Sequence, residues 1–365
     1  MIVILSAAKN LIFIKDPSLK FRMTKSYSGL QSFIQNDRGI GMENIMDKSI
    51  TDNSITDKET DILCIGMALV DSIIKGFNPE PVSASGFTAV SGTMNVGGEA
   101  VNEAVAAAKL GMRTGILCTL GTDPAGDMIV DYLKKNGADT SKVIRDAEHA
   151  TPVTTMFVKD DGTRKSITNQ AHRYNFHPEK YVEEIVKARA IILGSLFRAP
   201  FDDPAIINEV VTEAKKAGVL VIADTKLPNF VKLKLDDIKD TLPELDFITP
   251  NEDEAKYFTG KTDPKEMADV FLSYGVKNVI IKLGAKGCLF KNSEKAIKLD
   301  PLKIEAVDAT GAGDNFVAGL ATELLNGKTI EDALKFANAC GAICTTAIGA
   351  GTALKDYDQV LKSLL

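Results

Sequence analysis

There is no tryptophan in this chain of 365 residues, and aromatic residues make up only 6% of it. That scarcity weighs against a pocket built to stack a nucleobase. Histidine is nearly as rare: His149, His172 and His177 show no H-E-x-x-H spacing, which disfavours metal-dependent hydrolysis. The five cysteines, Cys64, Cys118, Cys288, Cys340 and Cys344, are scattered through mostly apolar runs. They read as buried, reduced thiols of a cytoplasmic protein rather than a disulfide framework. Cys340 and Cys344 lie one helical turn apart, but no second Cys/His pair joins them, so core packing is the favoured reading. An excess of positive charge is also missing. The net charge of −6 argues against a nucleic-acid surface, and an anionic substrate would need local cations. The apolar start, Met1 to Ile14, is broken by Lys9 and Asn10; it is too short to cross a bilayer and lacks the basic start of a signal peptide. Finally, no G-x-x-x-x-G-K-[ST] occurs, so any phosphate must be held by something other than a P-loop.

What is present is a glycine turn late in the chain, Asp308-Ala309-Thr310-Gly311-Ala312-Gly313-Asp314, followed by Phe316, Val317, Leu320, Ala321 and Leu324 at helical spacing. The pattern predicts a helix starting near Ala312, whose unpaired N–H groups carry about half a positive charge. Thr310, Gly311, Ala312 and Gly313 would cradle an anion there, with Asp314 in the first turn. Gly311-x-Gly313-x-x-Phe316 fails the dinucleotide fingerprint, because phenylalanine stands at the third glycine. An anion cradle with an adjacent carboxylate suits phosphoryl transfer to a hydroxyl, with Asp314 as base. The competing reading of Asp314 is a helix-capping residue. A helix N-terminus is expected to depress its pKa, giving a weak but reliably ionised base.

Residues 1–60 differ in character from the rest of the chain. From Thr24 onward they are polar and aperiodic, and are expected to form a disordered leader before a domain over 61–365. Beyond residue 60, apolar runs (62–65, 114–120, 190–194, 219–224, 279–283) alternate with helical patterns (98–110, 204–217, 264–274, 312–325, 330–347). This predicts a doubly wound α/β fold, a mostly parallel sheet flanked by helices. Segments near 72–96 and 152–169 break the rhythm, the second around a hairpin signal at Lys159 to Thr163. They predict a small β-sheet lid.

Four separated signals together resemble the ribokinase-like (PfkB) family of carbohydrate kinases. These are Gly97-Gly98-x-x-x-Asn102-x-Ala104, Asn251-x-x-Glu254, Asp308-x-x-Gly311-Ala312-Gly313-Asp314, and Asn338 within Ala337-Asn338-Ala339. Ala309 stands where the family has threonine, and the match covers 61–365. The resemblance implies ATP as phosphoryl donor and Mg²⁺ as cofactor. It gives Asp314 the role of catalytic base and Gly311, Ala312 and Gly313 that of anion hole. Asp71, Gly97, Gly98 and Asn102 would bind sugar hydroxyls, with Arg164 of the lid reaching an anionic group. Lys282, Gly284, Gly287, Thr310 and Asn338 would lie on the nucleotide side, although Lys282 replaces a small or hydroxyl residue. Asn251 and Glu254 would hold Mg²⁺ through water, and Asp308 a K⁺ ion.

Several of these residues have plainer readings. Asn251 and Glu254 also fit an ordinary capping pair, Asp71 a turn and Arg164 a solvated strand-edge charge; Lys226, which follows Asp224 at the end of a strand where α/β sheets place ligand contacts, fits a surface lysine equally well. The expected activity is phosphorylation of a primary hydroxyl on a small sugar of the ribose, fructose or 2-keto-3-deoxygluconate type. A nucleoside kinase and a non-catalytic carbohydrate or nucleotide sensor are the alternatives. No nucleic-acid or membrane partner is expected, and exposed lid edges are compatible with a homodimer.

Overall fold

The computed structural model describes residues 3–6, 11–14, 58–76, 89–159, 163–169 and 176–365. In the N-terminal unit, 1–53, β1 (Val3–Ser6) pairs antiparallel with β2 (Leu11–Ile14). Residues 24–57 of the polar leader expected to run to Thr60, and the middle of the first lid segment, lie outside the described residues.

The second unit begins with β3 (Thr60–Ile65), β4 (Leu69–Lys75), β5 (Ser91–Gly97) and helix α1 (Glu99–Lys109). Next come β6 (Thr114–Gly121), α2 (Pro124–Lys135), β7 (Val143–Asp146), β8 (Val153–Val158) and β9 (Arg164–Thr168). A short α3 (Val182–Ile185) leads to β10 (Ala188–Leu196), α4 (Pro204–Lys216), β11 (Leu220–Thr225) and β12 (Phe247–Ile248). Helices α5 (Glu252–Thr259) and α6 (Pro264–Ser273) precede β13 (Asn278–Lys282), β14 (Cys288–Asn292) and β15 (Ala296–Leu299). The chain ends with α7 (Ala312–Leu325), α8 (Ile330–Cys344) and α9 (Tyr357–Ser363).

The large sheet runs β15-β14-β13-β12-β11-β10-β3-β6-β7, parallel except for the antiparallel β13-β14-β15 edge. Its central strands are buried on both faces, which is why they read as unbroken apolar runs. Residues of β3 divide alternately between two cores. Ile62 and Cys64 join the side packed by α1, α2, α7, α8 and α9, and Leu63 and Ile65 the side packed by α4 and α6. The lid is a separate sheet ordered β5-β4-β8-β9, in which Asp71 lies opposite Asn95. Asp71 is therefore a strand residue rather than a turn.

The order of the strands reverses at β3. The chain steps outward from it to β6 and β7, then returns to β10 on its other side. Open α/β sheets bind ligands at the carboxyl ends of strands beside such a switch point. Here the backbones close up: a Cβ on Gly66 would lie 2.8 Å from the Gly194 carbonyl and 3.3 Å from the Ala100 side chain. The packing brings the start of α1 directly over the ends of β3 and β10. Among the described residues no helix is long and apolar enough to cross a membrane.

Candidate active site

Helix α7 starts at Ala312, as its periodicity predicts, with Gly311 at the cap in a left-handed conformation (φ 78°). An added side chain there would overlap Ala350 as well as strain the backbone. The loop is fixed from behind. Asp308 Oδ1 accepts from the Thr310 amide (3.0 Å) and hydroxyl (2.7 Å), and Oδ2 accepts from the Gly349 amide (3.0 Å). The Ala312 amide donates to the Ala309 carbonyl. The amides of Gly311, Gly313 and Asp314 have no described partner, so three backbone donors at this helix start are unengaged.

Asp314, in the first turn, is buried and accepts a 2.6 Å hydrogen bond from the Asn102 side-chain amide. Its carboxyl is pushed up to about 7, chiefly by burial and then by the Glu99 carboxylate, with Lys226 and Asn102 pulling the other way. This corrects the depressed pKa expected from the helix N-terminus. Desolvation and a neighbouring like charge outweigh the helix dipole, and the result is a carboxyl group whose charge changes near neutral pH.

Glu99 opens α1 immediately after Gly98, whose φ of 102° only glycine adopts readily. The Glu99 carboxylate meets the Lys226 ammonium at 2.7 Å. Burial alone would raise Glu99, but Lys226 holds it down to about 2, and Lys226 is correspondingly raised. Lys226 is thus an ion-pair partner at the site, not a free surface lysine. The lid strand delivers Asp71 to the same corner. A Cβ on Gly97 would sit 2.5 Å from Asp71 Oδ2, and burial and Glu99 both raise the Asp71 carboxyl.

On the other side of α7, Lys282 ends β13. It is largely buried and pairs with Asp224 at 2.5 Å, and its ammonium would lie 3.1 Å from a Cβ on Gly313. Asp224 also accepts from Thr249 Oγ1 at 2.7 Å. Asn251 and Glu254 form a reciprocal capping box on α5, with Asn251 Oδ1 accepting from the Glu254 amide and Glu254 Oε2 from the Asn251 amide. Glu254 Oε2 takes a further bond from Thr225 Oγ1 at 2.8 Å. Glu254 is buried, which raises its carboxyl even with Lys282 opposing.

The remaining predicted residues are spread around this edge. Gly284 and Gly287 shape the β13–β14 connection, both at positive φ, and Asn338 Nδ2 donates to the Asp300 carbonyl. Arg164 occupies the first position of β9, and its side chain lies outside the described residues. Near Asp308, the Ala350 carbonyl accepts from Asn315 Nδ2, and the single thiol hydrogen of Cys344 lies within reach of the Ala350 and Thr310 carbonyls. Sequence reasoning misses Glu99, Glu103 and Asp224. Glu99 sits inside the glycine motif and Asp224 at a strand's carboxyl end, which are signals that could have marked them.

Comparison with known proteins fits this geometry. Residues 59–356 match the model of the pfkB family of carbohydrate kinases. An ATP-dependent 6-phosphofructokinase of Thermoanaerobacterium thermosaccharolyticum is 27% identical over 326 residues, 87% of this chain and 97% of that one. A probable fructokinase-5 of Arabidopsis thaliana is 30% identical over 322 residues, 83% of this chain and 97% of that one. The structure of Arabidopsis thaliana ribokinase complexed with ribose and ATP superposes with a TM-score of 0.75 at 27% identity, covering 84% of this chain and 98% of that one. The family match over 59–356, on a sheet that superposes with a ribokinase, shows that this chain belongs to the pfkB family and is an ATP-dependent carbohydrate kinase.

Proposed function

We propose that the chain transfers the γ-phosphoryl group of ATP to a primary hydroxyl of a small sugar of the ribose, fructose or 2-keto-3-deoxygluconate type, with Asp314 as general base. The observation that carries this is the placement of Asp314. It is buried, held by Asn102, has its carboxyl raised to about 7, and lies at a helix start where its own amide and those of Gly311 and Gly313 are unengaged.

Phosphoryl transfer passes through a loose transition state, so the protein's work is positioning and charge stabilisation. Asp71, Gly97, Gly98 and Asn102 orient the sugar beside the start of α1. Asp314 accepts the hydroxyl proton as the new O–P bond forms. The Gly311 and Gly313 amides donate to the transferring group, whose negative charge also faces Lys282. Gly284, Gly287, Thr310 and Asn338 line the nucleotide side, and Asp308 holds the loop between them.

The residues present fit a hydrated magnesium ion. Glu254 presents a hard carboxylate oxygen, Oε1, that the capping bonds do not use, and among the described residues there is no cage of three or more acidic, histidine or cysteine ligands. That suits Mg²⁺, which keeps several waters and takes few protein ligands. Bound with ATP, it would neutralise charge on the β- and γ-phosphates. Asn251 positions Glu254 through the capping box.

The test is ADP release by the whole chain over a panel of sugars, sugar acids and nucleosides, for the wild type and Asp314→Asn. Turnover on sugars that the variant loses is the expected result. Turnover on nucleosides alone, or by the variant at the wild-type rate, would defeat the proposal.

A further inference from the structure

We infer that Ser195 is a positioning residue whose hydroxyl seats Glu99 against Lys226, and that this ion pair binds hydroxyl groups of the acceptor. The inference rests on the sugar-kinase reading above and deepens it.

Ser195 and Phe197, with φ of 68° and 77°, are the only non-glycine residues in the left-handed region among the described residues. Both are buried, and both lie where β10 ends at the switch point. Backbone of this kind persists only where its surroundings over-determine it, and it concentrates at functional sites. Here the register of β10 against β11 shifts between Leu193 and Leu196. The Arg198 amide donates back to the Ser195 carbonyl at 2.9 Å, and the Phe197 amide donates to the Phe201 carbonyl at 3.0 Å. The Phe197 ring packs on Phe258 of α5, with centroids 4.1 Å apart.

The bend does two things. It aims the Ser195 hydroxyl at the Glu99 carboxylate, where its hydrogen bond helps to keep that group ionised. It also grips the chain as it leaves β11: the Leu196 carbonyl accepts from the Lys226 amide at 2.9 Å, and Arg198 Nε donates to the Leu227 carbonyl at 2.7 Å. One strained turn thus places both members of the pair.

The pair is not sealed, since the Lys226 and Glu99 side chains keep 37% and 21% of their surface open. It borders the acceptor corner: the Glu99 charge acts on both Asp71 and Asp314, and that of Lys226 on Asp314. An ammonium has three donors and a carboxylate about four acceptor positions, so each group has capacity beyond the other. A charged donor beside a charged acceptor suits neighbouring sugar hydroxyls, through charge-assisted hydrogen bonds. Those hydroxyls do not react, so loosening the pair weakens sugar binding and spares the chemical step.

The experiment compares Ser195→Ala and Ser195→Gly in the full chain, by ADP release on the sugar that the wild type turns over best. Both variants lack the hydroxyl, but glycine accepts the left-handed backbone and alanine does not. Ser195→Gly should have the higher urea midpoint of the two. Both should raise the sugar KM about tenfold or more, with kcat within about threefold and the KM for ATP unchanged. In a Glu99→Ala chain, adding Ser195→Ala should change the sugar KM by less than about threefold. A wild-type sugar KM in both variants, or one restored in Ser195→Gly alone, overturns the inference, because the turn then serves folding only. A full tenfold loss in the Glu99→Ala chain also overturns it, since Ser195 then acts without Glu99. These outcomes leave the sugar-kinase reading standing, whereas a wild type that turns over no sugar overturns that reading and this inference with it.

Discussion

Asn102 and Asp314, 212 residues apart in sequence, share a 2.6 Å hydrogen bond in which the Asn102 amide donates to the Asp314 carboxylate. It ties the start of α1 to the start of α7. The bond favours the ionised form, against burial and Glu99, which together raise the carboxyl to about 7. Turnover should therefore depend on pH through this group. Below about 7 Asp314 is protonated and cannot take the hydroxyl proton, so kcat/KM should rise with pH and level off above 7. A profile that is flat from about pH 5.5 to about 8.5 would remove Asp314 as the titrating base.

Removing the donor should move that profile. Asn102→Ala takes away one interaction that lowers the Asp314 pKa, so the acidic limb should shift to higher pH. A hydrogen bond to a charged group contributes about 1.5–3 kcal/mol, so at neutral pH a loss of about tenfold or more in kcat/KM is expected. A drop in kcat/KM with an unshifted limb would mean that Asn102 acts on the sugar alone.

Asp314→Asn should lose about 100- to 10,000-fold in kcat while keeping nucleotide affinity, measured by calorimetric titration with a non-hydrolysable ATP analogue. It should also change stability, with a definite sign. The folded-state pKa lies above the ordinary carboxylate value of 3.8, so between about pH 4 and about 7 the native state holds a proton that the unfolded state has released. Stability therefore falls as pH rises through that window, and the cost of the buried charge is complete above about 7. The asparagine variant escapes the cost, and Asn102 can still donate to its side-chain oxygen. It should melt a few degrees above the wild type at about pH 8 and close to it at about pH 4. Equal melting temperatures at both pH values would contradict a carboxylate held against burial.

Much of the fold is legible in the sequence where one physical rule dominates. Ile62 to Ile65 and Ala190 to Gly194 read as strands because both faces of the sheet are covered, and α7 is legible because apolar spacing follows the glycine turn. The edge strands β14 and β15 escape notice because Lys291, Asn292 and Lys298 interrupt their apolar pattern at a solvated border. The short β7 is missed for the same reason. The site is harder, because its electrostatics are made between distant segments. Nothing local to Glu99 announces Lys226, and nothing local to Lys282 announces Asp224 58 residues earlier. The direction of the Asp314 shift is hidden on the same ground. The helix dipole is local and readable, whereas the burial and the Glu99 charge that oppose it exist only once α1 packs against α7.

The two glycines of the turn should separate folding from chemistry. Gly311 sits at φ 78°, and an added methyl group would overlap Ala350. Gly311→Ala therefore combines backbone strain with a steric clash, and should cost about 2 kcal/mol or more of stability, read as a lowered urea midpoint. Gly313 lies inside the helix, where the only close neighbour of a Cβ is the flexible end of Lys282 at 3.1 Å. Gly313→Ala gains helix propensity of up to about 1 kcal/mol, so its urea midpoint should stay near the wild type or rise. The new methyl group does press on the Lys282 ammonium and stand beside one of the unengaged amides. Alanine keeps the N–H, so the loss comes from a methyl group that holds an anion off that donor and shifts Lys282; losing a donor outright costs on the order of 100-fold in kcat, and a loss approaching that size is expected in a fully folded variant. If Gly313→Ala folds normally and turns over at the wild-type rate, the anion hole does not lie at the start of α7.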